Sequence, residues 1–292
     1  MKILLLGSNG QVGSEIVRTF SDQDCNLISL SSKELDVSDF KLLSKKILDI
    51  HPDILINATA YTNVDDAENE IEEAFLVNSE AVDIIAKNIK LINSKLIHIS
   101  TDYVFDGKSQ KDYSEEDLTT PINIYGESKL LGEKNIKKQL DEHIILRTSW
   151  VYGKNGNNFV KTMIKNSHKN QLKIINDQHG NPTSASSISK VLWKICEVIY
   201  DEKFSNFGIY HFSNSTKVSW YDFAKLIFNQ AAKKDIIGSK PNILPIQSKE
   251  FNQKAKRPKD SSLSIKKITK VFAINDYKLS NELSRVLEDL RL

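Results

Sequence analysis

The chain has 292 residues, 40 of them basic and 38 acidic, for a net charge of +2. That near-balance gives no general electrostatic case for nucleic acid as a partner, and no apolar run approaches the ~20 residues of a membrane span. Hydrophobic residues at 40% and charged residues at 27% suit a soluble globular enzyme of one large domain or two modest ones.

Lys2–Leu6 reads as a first buried strand. Its apolar run stops at Gly7, too early for an export signal. Gln11–Phe20 has the pattern of a helix, Asn26–Leu30 of a strand, Phe40–Ile50 of a helix and Ile54–Ala58 of a fully apolar strand. Ala67–Ile92 predicts one or two helices, with Ala74, Val77, Ala81, Ile84 and Ile85 at helical spacing. Leu96–Ile99 is a further strand, Ile124–Leu140 a helix and Ile144–Trp150 a strand. Apolar strands separated by helices predict an α/β fold with a doubly wound, Rossmann-like parallel sheet, covered on both faces, with ligands at the carboxyl ends of its strands.

Beyond residue 150 the pattern loosens. Phe159–Ser167, Ser187–Ile199 and Trp220–Ala232 look helical, Gly208–Ser213 looks like a returning strand, and Asn275–Leu292 closes as an amphipathic helix. Lys240–Pro258 holds three of the six prolines and no clear period, as an irregular segment over a cleft or a plain linker would. Residues 1–150 are expected to form a dinucleotide-binding domain, rejoined by about 185–215. Residues 151–184 and 216–292 would form a smaller, C-terminal substrate-binding α/β region. Cys25 and Cys196 show neither a metal spacing nor a disulfide framework, and a cytoplasmic location is expected.

Gly7, Gly10 and Gly13 sit between the first strand and the first helix. Glycines there let the backbone turn tightly and approach a pyrophosphate, which the helix dipole favours. Ser31, Ser32 and Lys33 stand where an acid would favour NAD; hydroxyls with a cation tolerate a 2′-phosphate, so NADPH is expected before NADH. Glu34 weighs against this, and Lys33 facing solvent is the plain alternative. Asp36, followed by Val37, would meet the adenine or else cap the helix from Phe40.

Tyr125 and Lys129 are four residues apart, on one face of a helix. A nearby ammonium is expected to lower the phenol's pKa and ready it for proton transfer to a sugar oxygen. Ser100-Thr101-Asp102 ends the strand from Leu96, which puts the Thr101 hydroxyl beside the cofactor crevice or makes it a turn cap. Hydride carrier, phenol and ammonium together point to a carbonyl reductase.

These motifs resemble the extended short-chain dehydrogenases/reductases, and within them the dTDP-4-dehydrorhamnose reductases. The resemblance spans essentially the whole chain. It rests on Gly7–Gly13 with Gln11-Val12, on Asn57–Asp65 with Ala67-Glu68, and on Val77-Asn78. It continues through Ser100–Gly107, Tyr125–Lys129 with Gly132-Glu133, Arg147–Gly153, Asn158–Val160, Asp177-Gln178 with Gly180 and Pro182-Thr183, and Arg257-Pro258. It implies reduction of the C4 ketone of a dTDP-4-keto-6-deoxysugar with a nicotinamide cofactor, in the synthesis of sugars for cell-surface polysaccharides. Thr101, Tyr125 and Lys129 would be catalytic. Gly7, Gly10, Gln11, Val12, Gly13, Lys33, Asp36, Val37, Ala58, Ala60, Tyr61, Thr62 and Asn78 would hold the cofactor together with Tyr125 and Lys129. Thr62, Val64, Thr101, Asp102, Tyr103, Tyr125, Trp150 and Arg257 would hold the dTDP-sugar. Trp150 as core packing and Arg257 as a surface cation are the plain alternatives. Some members dimerise through carboxylates around Mg²⁺. Glu15 matches one such position, but Lys190 stands near where another acid would be, so no metal is expected and a homodimer is left open. A related nucleotide-sugar 4-ketoreductase or epimerase, the latter recycling its cofactor, and a non-catalytic regulatory subunit are the rival readings; an intact Thr101, Tyr125 and Lys129 set argues against the subunit.

Overall fold

The computed structural model describes residues 1–291. Strands β1 (Lys2–Leu6), β2 (Asn26–Leu30), β3 (Ile54–Asn57), β4 (Lys95–Thr101) and β5 (His143–Thr148) join with Gly208–His211 in one sheet. The order is β2-β1-β3-β4-β5 and then Gly208–His211, every neighbour parallel. Alternation along β1 sends Ile3 and Leu5 to one face, with Ile16 and Phe20 of helix α1 (Gln11–Phe20) and the helix Ala185–Tyr200. Leu4 and Leu6 go to the other, with Leu43 and Ile47 of helix α2 (Phe40–Ile50) and the helix Ala81–Leu91. Both faces are covered, as such apolar strands require. Each aliphatic side chain buried this way contributes about 1.5–3 kcal/mol. The doubly wound parallel sheet expected above is the one observed.

The order reverses between β1 and β3, so the carboxyl ends of β1, β3 and β4 open on one crevice. Over it lies a second cluster built on Val160, Phe223, Ile227 and Leu283, from the helices Phe159–Lys165, Trp220–Lys233 and Leu279–Arg291. Its strands come in pairs: Gln171–Ile175 with Asn242–Ile246, His179–Gly180 with Val218–Ser219, and Val151–Tyr152 with Thr183–Ser184.

Three expected elements differ. The stretch read as Ala67–Ile92 is broken into Val64–Ala67, Ile71–Phe75, a π-helical turn Leu76–Glu80 and Ala81–Leu91. The widened turn carries Asn78, whose side chain holds both backbone groups of Tyr61. The segment Lys240–Pro258 contains a strand, Asn242–Ile246, hidden by Pro245; in a two-stranded pair the missing N–H is tolerated on the open side. The closing stretch holds a helix only from Leu279, and Leu292, included in the expected helix, lies outside the described residues. Among the described residues no helix is long and apolar enough to cross a membrane.

Candidate active site

The turn after β1 is shaped by close approach. A side chain at Gly13 would put its Cβ 2.0 Å from the Gly7 carbonyl oxygen, so only glycine lets α1 start so near the strand. Gly10 is the N-cap and gives no side-chain cap, and the first turn holds no acid. The positive end of α1 therefore opens through Gly10, Gln11 and Val12 onto a cavity of about 520 Å³.

Opposite stands the helix Ile124–Gln139. Asn123 caps it by accepting from Gly126 N–H at 2.8 Å, and Glu68 accepts from Ile124 N–H at 2.9 Å. Gly126 is needed because a Cβ there would lie 2.2 Å from the Tyr103 carbonyl oxygen. The helix thus seats directly on the turn that follows β4. Tyr125 and Lys129, one turn apart, line the same cavity as Thr101, Asp102 and Tyr103. Thr101 is the turn cap and also lines the cavity beside Tyr125. Its hydroxyl accepts from Tyr103 N–H and donates to Asp102 Oδ1, each at 3.1 Å. The rings of Tyr103 and Tyr125 meet edge to face at 5.6 Å.

The electrostatics correct one expectation. Burial pushes the Tyr125 phenol up to about 12; the Thr101 hydroxyl pulls the other way, and the Asp102 charge adds to the rise. The ammonium does not lower it, because Lys129 Nζ is turned to the Ile99 carbonyl at 2.7 Å and to His98 Nε2 at 3.2 Å. Burial in turn brings Lys129 down to about 8, against the Glu133 charge, which raises it. It lifts Asp102 to about 7, with hydroxyls of Ser261 and Thr101 opposing. Asp102 Oδ2 is buried without a partner.

A second cavity, of about 650 Å³, is ringed by Lys108, Lys249, Lys254, Lys256, Arg257 and Lys259, with Asp106 as the acid in its lining. Arg257 grips Asp65 through both terminal nitrogens, at 3.1 and 2.8 Å, and this ion pair holds the Asp65 carboxyl below its usual range. Arg257 lines this cavity and Tyr103 the first, and the Arg257 charge opposes the rise that burial gives the Tyr103 phenol.

Residues 1–292 match the family model described as the RmlD substrate binding domain. Over 292 residues the chain is 37% identical to the dTDP-4-dehydrorhamnose reductase of Aggregatibacter actinomycetemcomitans, covering 99% of this chain and 98% of that one. The chain belongs to the dTDP-4-dehydrorhamnose reductase family. In structure it is similar to the dTDP-4-dehydrorhamnose reductase of Clostridium acetobutylicum, with a TM-score of 0.92 at 32% identity and full coverage of both chains. It is also similar to that of Bacillus anthracis in complex with NADP, with a TM-score of 0.90 at 34% identity over 99% of each chain.

In this member of the family, Ala58, Ala60, Thr62, Val64 and Trp150 also line the first cavity. Tyr61 turns its phenol out to Glu70, and Asn78, fully buried, reaches Tyr61's backbone and Ser128 instead of the cavity. Val37 is packed in the core beside Leu35. Asp36 bonds the N–H and hydroxyl of Ser38, so the rival capping role passes to Asp39, which accepts from Leu42 N–H. Glu34 folds onto Ser31, and Lys33 is exposed. Arg257 belongs to the basic cavity. Glu15 is buried against Arg18 at 2.6 Å.

Residues given no role in the site from sequence complete it. Trp220 stacks on Trp150 at 3.4 Å with the planes 1° apart, and Trp150 holds a left-handed backbone (φ 47°) that brings its ring there. Glu133 and Arg147 form a buried ion pair behind Ser100, at 2.6 Å. His98 and Asn57 lie behind Lys129. Nothing in local spacing marks these; they come from separate elements.

Proposed function

We propose that the chain is a nicotinamide-dependent oxidoreductase that reduces the C4 ketone of dTDP-4-dehydro-6-deoxy-L-mannose to give dTDP-L-rhamnose. The observation that carries this reading is the meeting of Thr101, Tyr125 and Lys129 in the cavity that the uncapped end of α1 opens on. The fit to a dinucleotide rests on the same turn: Gly13 leaves room for close backbone approach, and no acid in the first turn repels a pyrophosphate. Bound there, the dihydronicotinamide supplies the hydride that the ketone carbon accepts. Gly10, Gln11 and Val12 would hold its pyrophosphate, and Ala58, Ala60 and Thr62 its nicotinamide end.

Tyr125 gives the phenolic proton to the C4 oxygen. A phenol held up near 12 keeps that proton at neutral pH, as a general acid must. Thr101 orients the same oxygen from beside the phenol. Lys129, one helical turn away and lining the same cavity, would hold the cofactor's ribose. Trp150 and Trp220 wall the deoxysugar, and the lysines around Arg257 suit the diphosphate of the nucleotide. NADPH is preferred over NADH because Glu34 is drawn onto Ser31 and Lys33 is free to meet a 2′-phosphate.

Incubation with dTDP-4-dehydro-6-deoxy-L-mannose and NADPH tests this: nicotinamide absorbance falls in step with product, identified by NMR as dTDP-L-rhamnose. No consumption of the cofactor, or turnover by Tyr125→Phe equal to the parent's, defeats the reading.

A further inference from the structure

Lys129 Nζ has two partners on β4, the Ile99 carbonyl and the ring of His98. His98 is fully buried, and its other nitrogen, Nδ1, lies 3.1 Å from Asn57 Nδ2. Which proton sits where follows from Asn57. Its Oδ1 accepts from Thr59 N–H at 3.0 Å and from the Thr59 hydroxyl at 2.6 Å. A backbone N–H can only donate, so the amide cannot be turned round without setting donor against donor. Asn57 therefore presents an N–H to His98 Nδ1, which must be the bare nitrogen. A neutral imidazole then carries its proton on Nε2, and that N–H faces Lys129 Nζ.

An ammonium is a donor with no lone pair, so a charged Lys129 meets an N–H head on. A neutral amine accepts it and still donates to Ile99. Moving the imidazole proton to Nδ1 would relieve the lysine only by setting His98 against Asn57. Every charged state of Lys129 leaves one donor–donor contact somewhere in the chain Thr59–Asn57–His98–Lys129.

We propose that Asn57 and His98 form a tautomer lock that offers Lys129 a donor and so favours its uncharged amine, with His98 a positioning residue acting through Lys129. This rests on the reading of Lys129 as part of the catalytic group. The other titratable and charged groups facing Lys129 are Glu133 and Tyr125 on its own helix, Arg147 of β5 through its ion pair with Glu133, and Asp102 after β4. Glu133 favours the ammonium; burial and the lock oppose it. In function, Lys129 starts the step as an ammonium and gives one proton to the tyrosinate left once the phenol has protonated the substrate, and the lock favours the neutral amine that results. The lone pair left on Nζ then accepts from His98 Nε2–H.

The test is ¹⁵N NMR of the native protein. Between about pH 6 and 9, spanning the imidazole and shifted lysine ranges, His98 is expected to show a bare Nδ1 and a protonated Nε2. A protonated Nδ1 overturns the proposal. In Asn57→Asp the carboxylate accepts where the amide donated. The imidazole proton is expected to move to Nδ1, and the Lys129 titration midpoint to rise by at least about one pH unit. The alkaline limb of kcat would move the same way. A raised midpoint with the tautomer unchanged reflects only the added charge and overturns the lock. A moved Lys129 midpoint with an unmoved activity profile leaves the lock standing and removes Lys129 from catalysis. If Asn57→Asp does not fold, the native spectrum alone decides.

Discussion

The two halves of the site are held in different ways. The floor, with the turn after β1, Thr101 and the β4 backbone that Lys129 binds, hangs on a six-stranded parallel ladder whose side chains are buried on both faces. The roof, with Trp220 and the basic segment to Lys259, is stitched from two-residue and five-residue strand pairs around a cluster of its own. A ladder fixes atoms through many mutually supporting hydrogen bonds, which suits groups that must meet a reacting carbon. Short pairs hold side chains through packing, which suits recognition of a large substrate.

Variants can break this division. The largest expected effect lies on the floor. Tyr125→Phe should cut kcat by about 10²–10⁴, the usual worth of a general acid, with an unchanged melting curve and cofactor affinity; stopped kinetics with either nicotinamide and a thermal melt check both. Next, Arg147→Met strands the buried Glu133 carboxylate and should cost about 3–5 kcal/mol of stability, read by urea unfolding, because a buried charge has lost its partner.

Asp102 gives a pH signature. Its folded pKa, about 7, lies above that of an unfolded aspartate near 3.9, so the folded state binds more protons between those values. Stability must then fall as pH rises from about 4 to about 7, and Asp102→Asn should flatten that slope in melts taken across the range. On the roof, Trp220→Ala should raise KM for the dTDP-sugar about tenfold while sparing kcat. A matching loss of kcat would mean the roof also aligns the reacting ketone. The smallest effect belongs to the rim: Lys33→Ala should lower the NADPH-to-NADH ratio of kcat/KM by a few fold, more at low salt than at high.

The floor was largely legible before the fold was known. Apolar strands at Lys2–Leu6 and Ile54–Ala58 announced a buried sheet, the glycines between strand and helix announced the turn, and a spacing of four put Tyr125 and Lys129 on one face. The roof was less so. The strand Asn242–Ile246 is masked by Pro245, and its partner Gln171–Ile175 alternates over only four residues, Gln171 to Ile174. The stretch 67–92 reads as one or two helices because its apolar spacing survives the π-helical turn that lets Asn78 reach Tyr61.

By itself, then, the order of residues determined which segments of the floor are strand or helix and which side chains share a helical face. Those depend on backbone geometry within a few neighbouring residues. Only the tertiary structure decided the chemistry of the groups so placed. It set the phenol high where a neighbouring ammonium suggested low, brought Trp220 onto Trp150, and put His98 and Asn57 behind Lys129. Desolvation and the pairing of donors with acceptors are properties of an enclosed space, and that space is walled by residues far apart along the chain.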